Sequence, residues 1–296
     1  MNFEQMSARI ATGEGFIAAL DQSGGSTPKA LRGYGVSDDE WSGDDAMFAA
    51  IHAMRARVIT APSFASGKVI GAILFEKTMD GEVDGKPAAE ALKDRGVVPF
   101  IKVDQGLEDD AHGVQLMKPM TRLGALVEKS LAAGMFGTKM RSVIKSANAQ
   151  GIAAVVAQQF DYGNRIADAG LMPILEPEYD ITTADRAEGE ELLLAEIIKH
   201  LDALPQGRKV MLKLSIPVTP NLYASLIGHP NVLRVVALSG GYSTDEACAH
   251  LARNAGMIAS FSRGLLQDLR KGQSDAEFDA VLGAAIDRIQ AASIAG

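Results

Sequence analysis

The sequence predicts an α/β fold, a (β/α)8 TIM barrel formed as a single domain over residues 1–296. Eight short apolar runs recur along the chain, and each is bounded by Gly or polar residues. A longer segment with helical periodicity follows each run, which is the alternation typical of a parallel sheet with crossover helices. Eight such units in a chain of 296 residues favour one barrel over a doubly wound sheet.

The eight apolar runs give the order of the predicted barrel strands. They lie near residues 15–20, 69–75, 98–103, 136–144, 172–175, 210–214, 232–238 and 257–261. The last two runs are assigned to strands on their content of Val, Leu and Ile, which favour strands on a buried sheet.

Two of the intervening segments carry helix signals at their N-terminal ends. Residues 184–204 have helix-compatible spacing, and Thr183 is positioned to cap the first turn. Residues 244–255 form the second predicted helix, with either Ser243 or Thr244 as its N-cap. Acidic side chains in the first turn of that helix suit the positive end of the helix dipole.

Composition and charge exclude several classes of protein. The chain is 47% hydrophobic and 22% charged, as in ordinary globular proteins, and its net charge of -8 disfavours a nucleic-acid or anionic-membrane partner. The single Cys248 and five scattered His offer neither an intramolecular disulfide nor a zinc cluster, so we predict no metal site. We expect a cytoplasmic protein, because the sequence contains neither a signal-peptide pattern nor a membrane-length apolar stretch.

Charged residues end most of the predicted strands, at the face where such barrels have their active sites. They are Asp21, Glu76, Lys102, Asp104, Lys139, Arg141, Glu176, Glu178 and Lys213. Three pairs lie two positions apart on one strand: Lys102 with Asp104, Lys139 with Arg141, and Glu176 with Glu178. Because side chains alternate along a strand, both members of each pair face the same side. Such clustered charges indicate a solvated reaction pocket, since unpaired buried charges are costly.

Lys213 is the charged residue set most deeply in an apolar run. An amine in a desolvated site near other cations loses proton affinity, and the free amine can attack a ketone carbon. Lys139 is a candidate for the neighbouring cation. The alternative is that Lys213 forms a structural ion pair or extends to the barrel rim.

The acidic residues at the strand ends could transfer the protons that this chemistry requires. Glu176 and Glu178 are the first candidates, although Glu-Pro-Glu also suits a polar loop after the strand. Asp21 is a candidate base, and its alternative is a turn or helix-cap role beside Gly24 and Gly25.

The seventh and eighth strands are followed by residues suited to a phosphate. Ser239, Gly240 and Gly241 allow close approach of backbone N–H groups, and Arg263 adds a cation at the position where barrels commonly hold phosphate. A plain turn is the alternative for Ser-Gly-Gly. The His residues and Cys248 are assigned to the surface or core, and the Met-rich stretch 117–120 is assigned to packing.

Seven motifs occur along the chain: LDQSGGS at 20–26, IKVD at 101–104, TKMR at 138–141, ILEPE at 174–178, LK at 212–213, LSGG at 238–241 and SFSR at 260–263. In this order they resemble the class I fructose-bisphosphate aldolases in their compact bacterial form. The resemblance covers nearly the whole chain and implies a cofactor-free lyase of glycolysis and gluconeogenesis. It implies reversible cleavage of fructose 1,6-bisphosphate into glycerone phosphate and glyceraldehyde 3-phosphate.

The resemblance also implies roles for individual residues. Lys213 would form a Schiff base with the C2 ketone, Glu176 would transfer protons, Asp21 would assist C3–C4 cleavage, and Lys139 would position the open-chain sugar. Substrate contacts are implied for Ser23, Lys102, Arg141, Ser239, Gly240, Gly241, Ser262 and Arg263, with the phosphates at opposite ends of the site.

Two features depart from the pattern of the animal members of that family. Those members carry Gly-Arg after the eighth strand, whereas this chain has Ser262-Arg263-Gly264. The alignment of Arg263 with the arginine of those members is therefore undecided by one residue. They also end in a mobile tail with a terminal Tyr, whereas the last tyrosine here is Tyr242. A proton transfer that depends on the tail must therefore be replaced or absent.

Two other functions fit the same residues. A Schiff-base aldolase for sedoheptulose 1,7-bisphosphate or fructose 1-phosphate would use the same catalytic set. A catalytically silent barrel would instead act as a binding protein. Because members of the family are often tetramers, a homo-oligomer is also left open.

Overall fold

Eight parallel strands form a nearly closed barrel in the computed structural model, which describes residues 1–295. The strands are β1 (Phe16–Leu20), β2 (Val69–Leu74), β3 (Val98–Lys102), β4 (Gly137–Ile144), β5 (Met172–Tyr179), β6 (Val210–Ser215), β7 (Val232–Leu238) and β8 (Ile258–Ala259). They neighbour one another in chain order. At the junction of β8 and β1, the Ala19 N–H donates to the Phe261 carbonyl over 3.2 Å. The predicted barrel is confirmed.

The helices pack around the barrel, as crossover connections between parallel strands require. They are α1 (Phe3–Thr12), α2 (Ser26–Tyr34), α3 (Gly43–Thr60), α4 (Glu76–Met79), α5 (Ala88–Asp94), α6 (Leu123–Ala132), α7 (Ala149–Asp168), α8 (Arg186–Asp202), α9 (Ala224–Ile227), α10 (Thr244–Leu251), α11 (Arg263–Leu266) and α12 (Asp275–Ile294). No helix within residues 1–295 has the length and apolarity needed to cross a membrane.

Short elements lie in the loops between these strands and helices. Two 3-10 helices span Asp38–Glu40 and Pro62–Ala65. Glu82–Val83 and Lys86–Pro87 form a small antiparallel hairpin, and Val114–Gln115 pairs antiparallel with the end of β4.

The two helix starts that the sequence predicts have different outcomes. Ser243 caps α10 with a complete capping box, as predicted. The prediction of Thr183 as a cap is wrong, because its hydroxyl donates to the Asp180 carbonyl in a turn and α8 starts only after Asp185. Helix α10 also ends earlier than predicted, at Leu251. The side-chain amide of Asn254 donates to the His250 carbonyl in the last turn of the helix and so takes the place of a further helical N–H.

Strand β5 is longer than the sequence predicts, and this changes the setting of two acidic residues. It pairs with β4 in parallel along its whole length, up to the Ile144–Tyr179 pair. Glu176 and Glu178 therefore lie within the strand, and the alternative of a polar loop is wrong.

The barrel interior contains an apolar layer beneath the charged residues. This layer is formed by Ile17, Ile73, Phe100, Ile174, Met211, Val236 and Ile258. Helix α1 covers the N-terminal end of the barrel, where its Met6 and Ile10 pack against the same cluster. Because side chains alternate along a strand, the residues two positions beyond Ile174 and Met211 also face inward, and these are Glu176 and Lys213. The apolar layer is thus the floor on which the charged side chains stand.

Candidate active site

A cavity of about 1140 Å³ opens at the carboxyl ends of the barrel strands. All of the site residues predicted from the sequence line it: Asp21, Ser23, Lys102, Lys139, Arg141, Glu176, Glu178, Lys213, Ser239, Gly240, Gly241, Ser262 and Arg263. Their convergence follows from the topology, because all parallel strands of a barrel end at the same face.

Glu176 lies at the centre of the charged cluster and contacts two lysines. Its Oε1 lies 3.0 Å from the Lys213 Nζ, and its Oε2 lies 2.9 Å from the Lys139 Nζ. The three side chains are only 4–5% exposed. One carboxylate therefore bridges the amines of strands β4 and β6 from the strand between them.

Lys139 is surrounded by carboxylates. Besides Glu176, it contacts Asp21 at 2.7 Å and Asp104 at 4.0 Å. Burial lowers the pKa of Lys139, but the negative charges of Asp21, Glu176 and Asp104 outweigh burial, and the pKa is raised above its usual value. Lys139 is therefore a permanent cation at neutral pH.

The two carboxylates beside Lys139 are held in their charged form. Burial would raise the pKa of Asp21, yet the nearby amines of Lys139, Lys213 and Lys102 lower it well below its usual range. The pKa of Glu176 is also lowered, because the attraction of Lys139 and Lys213 exceeds the effect of burial. Both side chains are therefore ionised at neutral pH.

Two further ion pairs flank this centre. Lys102 pairs with Asp104 at 2.7 Å on the β3 side, and Arg141 on β4 pairs with Glu178 on β5. The members of each sequence-predicted i, i+2 pair thus do face the interior together, but only Lys102 and Asp104 bind each other. Members of the other two pairs bind across neighbouring strands, Lys139 to Glu176 and Arg141 to Glu178.

The loop after β7 has the backbone of a close-approach site. Gly240 and Gly241 have φ values of 61° and 119°, which side-chain-bearing residues rarely adopt. A Cβ at Gly240 would also lie 2.6 Å from the Ile181 side chain. Within residues 1–295 the Ser239 carbonyl accepts the Tyr242 N–H, whereas the N–H groups of the two glycines bind no protein acceptor. They are free to bind an anion in the cavity.

Two exposed cations lie at the rim of the cavity. Arg263 is the first residue of α11, and Lys29 lies in α2. Neither forms an ion pair with another side chain of residues 1–295. Beside Arg263, the hydroxyl of Ser262 accepts a hydrogen bond from the Gln22 side chain. The loops after β1 and β8 are thereby joined.

The structure also separates the remaining alternatives for Asp21 and Lys213. The N-cap residue of α2 is Gly25, so Asp21 does not cap that helix and instead directs its carboxylate to Lys139. Lys213 does form an ion pair, with Glu176. An ion pair with a proton acceptor and a nucleophilic role are compatible, so the contact does not exclude the latter.

Several lining residues received no role from the sequence. Asp104 was recognisable as the partner of Lys102 in a Lys-X-Asp alternation, but its contact with Lys139 depends on strand packing. Lys29 and Gln22 lie in or near a predicted turn and gave no signal of their own. Their positions at the cavity depend on the conformation of the loop after β1, which the sequence does not predict.

The histidines lie outside the cavity lining, as expected from the sequence. His52, His200 and His229 contact a backbone carbonyl or a surface carboxylate, and His250 lies against Tyr242. In the described part of the chain, no group of three or more His, Cys, Asp or Glu side chains is arranged to hold a metal ion. Met117 and Met120 are buried, which confirms their assignment to packing.

A family model supports the sequence motifs over most of the chain. The model described as Glycolytic, Fructose-bisphosphate aldolase class-I, matches residues 3–212 of the 296 residues. This segment contains Asp21, Lys139 and Glu176, and it ends one residue before Lys213.

One solved structure supports the fold. A fructose-bisphosphate aldolase from Plasmodium falciparum, solved in complex with TRAP and a small-molecule inhibitor, superposes with a TM-score of 0.74 at 19% identity, covering 99% of this chain and 95% of that one. A wild-type GGGPS from Thermoplasma volcanium gives a TM-score of 0.44 at 12% identity, with coverage of 99% and 100%. The likeness to the Plasmodium falciparum aldolase shows the barrel fold.

Proposed function

We propose, from the premise that this chain belongs to the class I fructose-bisphosphate aldolase family, that it cleaves fructose 1,6-bisphosphate through a Schiff base on Lys213. The products would be glycerone phosphate and glyceraldehyde 3-phosphate, in glycolysis and, in reverse, in gluconeogenesis. The observation that carries the proposal is Glu176, which contacts the amine of Lys213 on one oxygen and the cation of Lys139 on the other. Glu176 would be the proton acceptor, and it lies within 3 Å of both the proposed nucleophile, Lys213, and the fixed positive charge of Lys139.

The choice of Lys213 over Lys139 as nucleophile rests on their different partners. A lysine attacks a carbonyl only as the uncharged amine. Lys139 contacts three carboxylates and its pKa is raised, so it stays charged at neutral pH. Among residues 1–295, Lys213 forms an ion pair only with Glu176, to which it would pass a proton.

Schiff-base formation follows from these contacts. Lys213 gives a proton to Glu176, and its nitrogen lone pair forms a bond to the C2 carbonyl carbon. The negatively charged oxygen takes up a proton from the newly bonded nitrogen and becomes the hydroxyl of a neutral carbinolamine. Protonated Glu176 then returns its proton to that hydroxyl, which leaves as water while the C2–N double bond forms. Lys139 stabilises the negative charge that develops on the oxygen.

The bond-cleaving step requires a base near the C4 hydroxyl, and Asp21 is the proposed one. As Asp21 removes the hydroxyl proton, the C4–O bond becomes a carbonyl and the C3–C4 electron pair moves into the iminium to give an enamine. The contact with Lys139 keeps the pKa of Asp21 low. Asp21 therefore becomes a competent base only if Lys139 shifts from Asp21 toward the sugar. After glyceraldehyde 3-phosphate has left, the proton that Asp21 accepted passes to C3 of the enamine, which restores the iminium and ionised Asp21. Water then hydrolyses the iminium, which releases glycerone phosphate and restores the lysine.

The two ends of the cavity supply phosphate contacts in this proposal. The free N–H groups of Gly240 and Gly241, together with Ser239, Ser262 and Arg263, would hold one phosphate. Ser23, Lys102 and Arg141 would contact the other end of the substrate. Because Lys102 and Arg141 are already paired with Asp104 and Glu178, a phosphate there would share them with these carboxylates.

Borohydride trapping tests the proposal directly. Glycerone phosphate and borohydride should add the reduced three-carbon adduct irreversibly to the peptide that contains Lys213, as mass spectrometry would show. Lys213→Met should lose both the adduct and at least about 1,000-fold of the cleavage rate, because Lys139, the amine on the other side of Glu176, stays charged and cannot replace it as nucleophile.

The control is Lys209→Met, on the same stretch of chain. Lys209 is exposed and precedes β6 at the opposite end of the barrel, so the variant should keep both the adduct and the rate. Full cleavage activity in a Lys213→Met protein, or an adduct on another lysine, would refute the assignment.

The alternatives predicted from the sequence share this chemistry and differ in substrate. A cavity of about 1140 Å³ does not itself exclude a seven-carbon bisphosphate. Relative kcat/KM values for fructose 1,6-bisphosphate, sedoheptulose 1,7-bisphosphate and fructose 1-phosphate would decide among them. Binding of all three without turnover would instead indicate a catalytically silent barrel.

A further inference from the structure

Arg55 is a charged residue at a position that normally holds an apolar one. It lies in α3, at a four-residue spacing from Ile51 and Ile59, and all three side chains are no more than 1% exposed. Burial lowers the pKa of Arg55 to about 10, and the charge of Asp21 opposes this only in part. Within residues 1–295, no carboxylate forms an ion pair with its guanidinium, and its Nε has no hydrogen-bond partner.

The contacts of Arg55 converge on the loop after β1. One terminal nitrogen donates to the Thr78 hydroxyl over 2.8 Å. The other donates to the backbone carbonyl of Gln22 and lies 3.4 Å from its side-chain oxygen. The amide nitrogen of Gln22 then donates to the hydroxyl of Ser262. A buried arginine is thereby connected, through one glutamine, to both loops at the junction of β1 and β8.

Stability alone does not account for an arginine here. A buried charge with no carboxylate partner is destabilising, and an apolar side chain of similar length would complete the inward face of α3 at lower cost. What the guanidinium provides is a fixed position for the Gln22 carbonyl, one residue beyond Asp21. A planar fork with several donors can hold a carbonyl and a hydroxyl at once in fixed geometry.

We propose that Arg55 is a positioning residue, which fixes Asp21 for the bond-cleaving step and links it through Gln22 to the loop of Ser262 and Arg263. The inference rests on the proposed function, because it takes Asp21 as the base. It extends that function by assigning a buried residue that lies outside the cavity lining. Its hydrogen bonds within residues 1–295 go to Thr78 and Gln22 and not to Lys213, so it acts through the β1 loop.

The expected signature is a split between two partial reactions. Arg55→Met should lower kcat for fructose 1,6-bisphosphate cleavage by about 30- to 100-fold, since a shift of about 1 Å in a reacting group has an effect of that size. Borohydride trapping of saturating glycerone phosphate on Lys213 should stay within about threefold of the unaltered protein, because that reaction uses Lys213 and Glu176 and not Asp21. A general loss of structure would reduce both to the same extent.

The matched control is Arg234→Met. Arg234 is another arginine with an unpaired Nε and a single backbone acceptor, the Ala11 carbonyl at 2.6 Å, but it lies near α1 at the opposite end of the barrel. This variant should leave both kcat and trapping unchanged. A loss of cleavage equal to that of Arg55→Met would overturn the inference.

A second variant keeps the inference testable if Arg55→Met does not fold. Thr78→Val preserves shape and leaves the charge of Arg55 in place, but it removes the second anchor of the guanidinium. It should lower kcat by about 3- to 10-fold, with trapping retained. Unchanged kcat in a folded Arg55→Met or Thr78→Val protein, or equal loss of cleavage and trapping, would overturn the inference. Absence of trapping in the unaltered protein would refute the proposed function itself, and the inference with it.

Discussion

Glu176 explains why two buried lysines of one site can differ in their chemistry. Lys139 contacts three carboxylates and Lys213 contacts one, so the same residue type is a fixed cation on β4 and a candidate nucleophile on β6. The difference arises from the order of the strands, because β5 places Glu176 between the two amines. At this scale, the number of carboxylate neighbours distinguishes the two lysines better than either side chain's burial does.

Removal of Lys139 should change stability in a way that depends on pH. Lys139→Met leaves Asp21 and Glu176 buried without their main cation, and breaking a buried pair in this way costs about 3–5 kcal/mol at pH 7. In the unaltered protein both carboxyl pKa values are lowered, so their stabilisation is complete above the unfolded values of about 4 and is lost as pH falls below them. Lys139, with its raised pKa, contributes until pH exceeds about 10.

In the variant, burial is opposed by fewer cations, so the carboxyl groups take up protons at higher pH. The difference in free energy of unfolding between the two proteins should therefore shrink as pH falls from 7 to 4, as urea titrations would show. Lys145→Met, which removes a partly exposed surface pair with Asp110, should cost under about 1 kcal/mol at each pH. A difference that stayed constant over this range would contradict the coupling of Lys139 to the two carboxyl groups.

How much of the site the sequence could predict is clearest for single residues. Alternation along β4 and β5 was sufficient to direct Lys139, Arg141, Glu176 and Glu178 to the barrel interior. It could not predict that Arg141 pairs with Glu178 and Lys139 with Glu176, because pairing depends on how neighbouring strands stagger. For Arg55 the sequence offered only a weak indication, a charged residue four positions from both Ile51 and Ile59 on the same helix. Its role could not be predicted, because that role depends on the contact with Gln22.

Among the elements, the order of the strands and the bounds of β6 were predicted better than the end of β5 or the boundaries of α8 and α10. Strand β6 is a continuous apolar run with one lysine, and the predicted range of residues 210–214 differs from the observed one by a single residue. The start of α8 was missed because Thr183, Asp180 and Asp185 are all suitable capping residues, and the turn at Asp180 decides which is used. Short-range signals near one another compete, and tertiary contacts select among them.

The packing of α8 on β5 gives a prediction at this scale. Gly189 of α8 is buried against Tyr179, the last residue of β5, and a Cβ there would lie 1.9 Å from the tyrosine hydroxyl oxygen. Gly189→Ala should therefore lower the free energy of unfolding by about 1–3 kcal/mol, although alanine favours a helix. Thermal or urea unfolding would measure the change.

The control for this substitution is Gly283→Ala in α12. Within residues 1–295, a Cβ at Gly283 would meet the Ser63 side chain, with the Cβ at 3.4 Å and the Oγ at 4.0 Å, which are ordinary contacts. Here the gain in helix propensity should prevail and raise the free energy of unfolding by about 0.5–1 kcal/mol. The opposite signs test the packing directly, and stabilisation by Gly189→Ala would contradict the close approach of α8 to β5.

At the scale of the whole molecule, the site is an exception to the overall charge. The chain carries a net charge of -8, whereas the cavity is lined by seven basic and five acidic side chains. Acidic residues elsewhere repel an anionic sugar phosphate at long range, and the cavity attracts it at short range. Because charges are screened beyond about 10 Å at 0.1 M salt, the cavity should dominate the encounter and the binding.

This balance predicts how turnover responds to ionic strength. If a phosphate binds at each end of the cavity, kcat/KM for fructose 1,6-bisphosphate should fall by about 3- to 10-fold as sodium chloride rises from about 0.02 to 0.2 M, because added ions weaken attraction between the phosphates and Lys102, Arg141 and Arg263. Fructose 1-phosphate, with one phosphate, should lose about half as much on a logarithmic scale. Arg263→Gln should flatten the dependence for both substrates, if Arg263 binds the phosphate on C1. A rise in kcat/KM with salt would mean that the net negative charge of the molecule outweighs the local charge of the site.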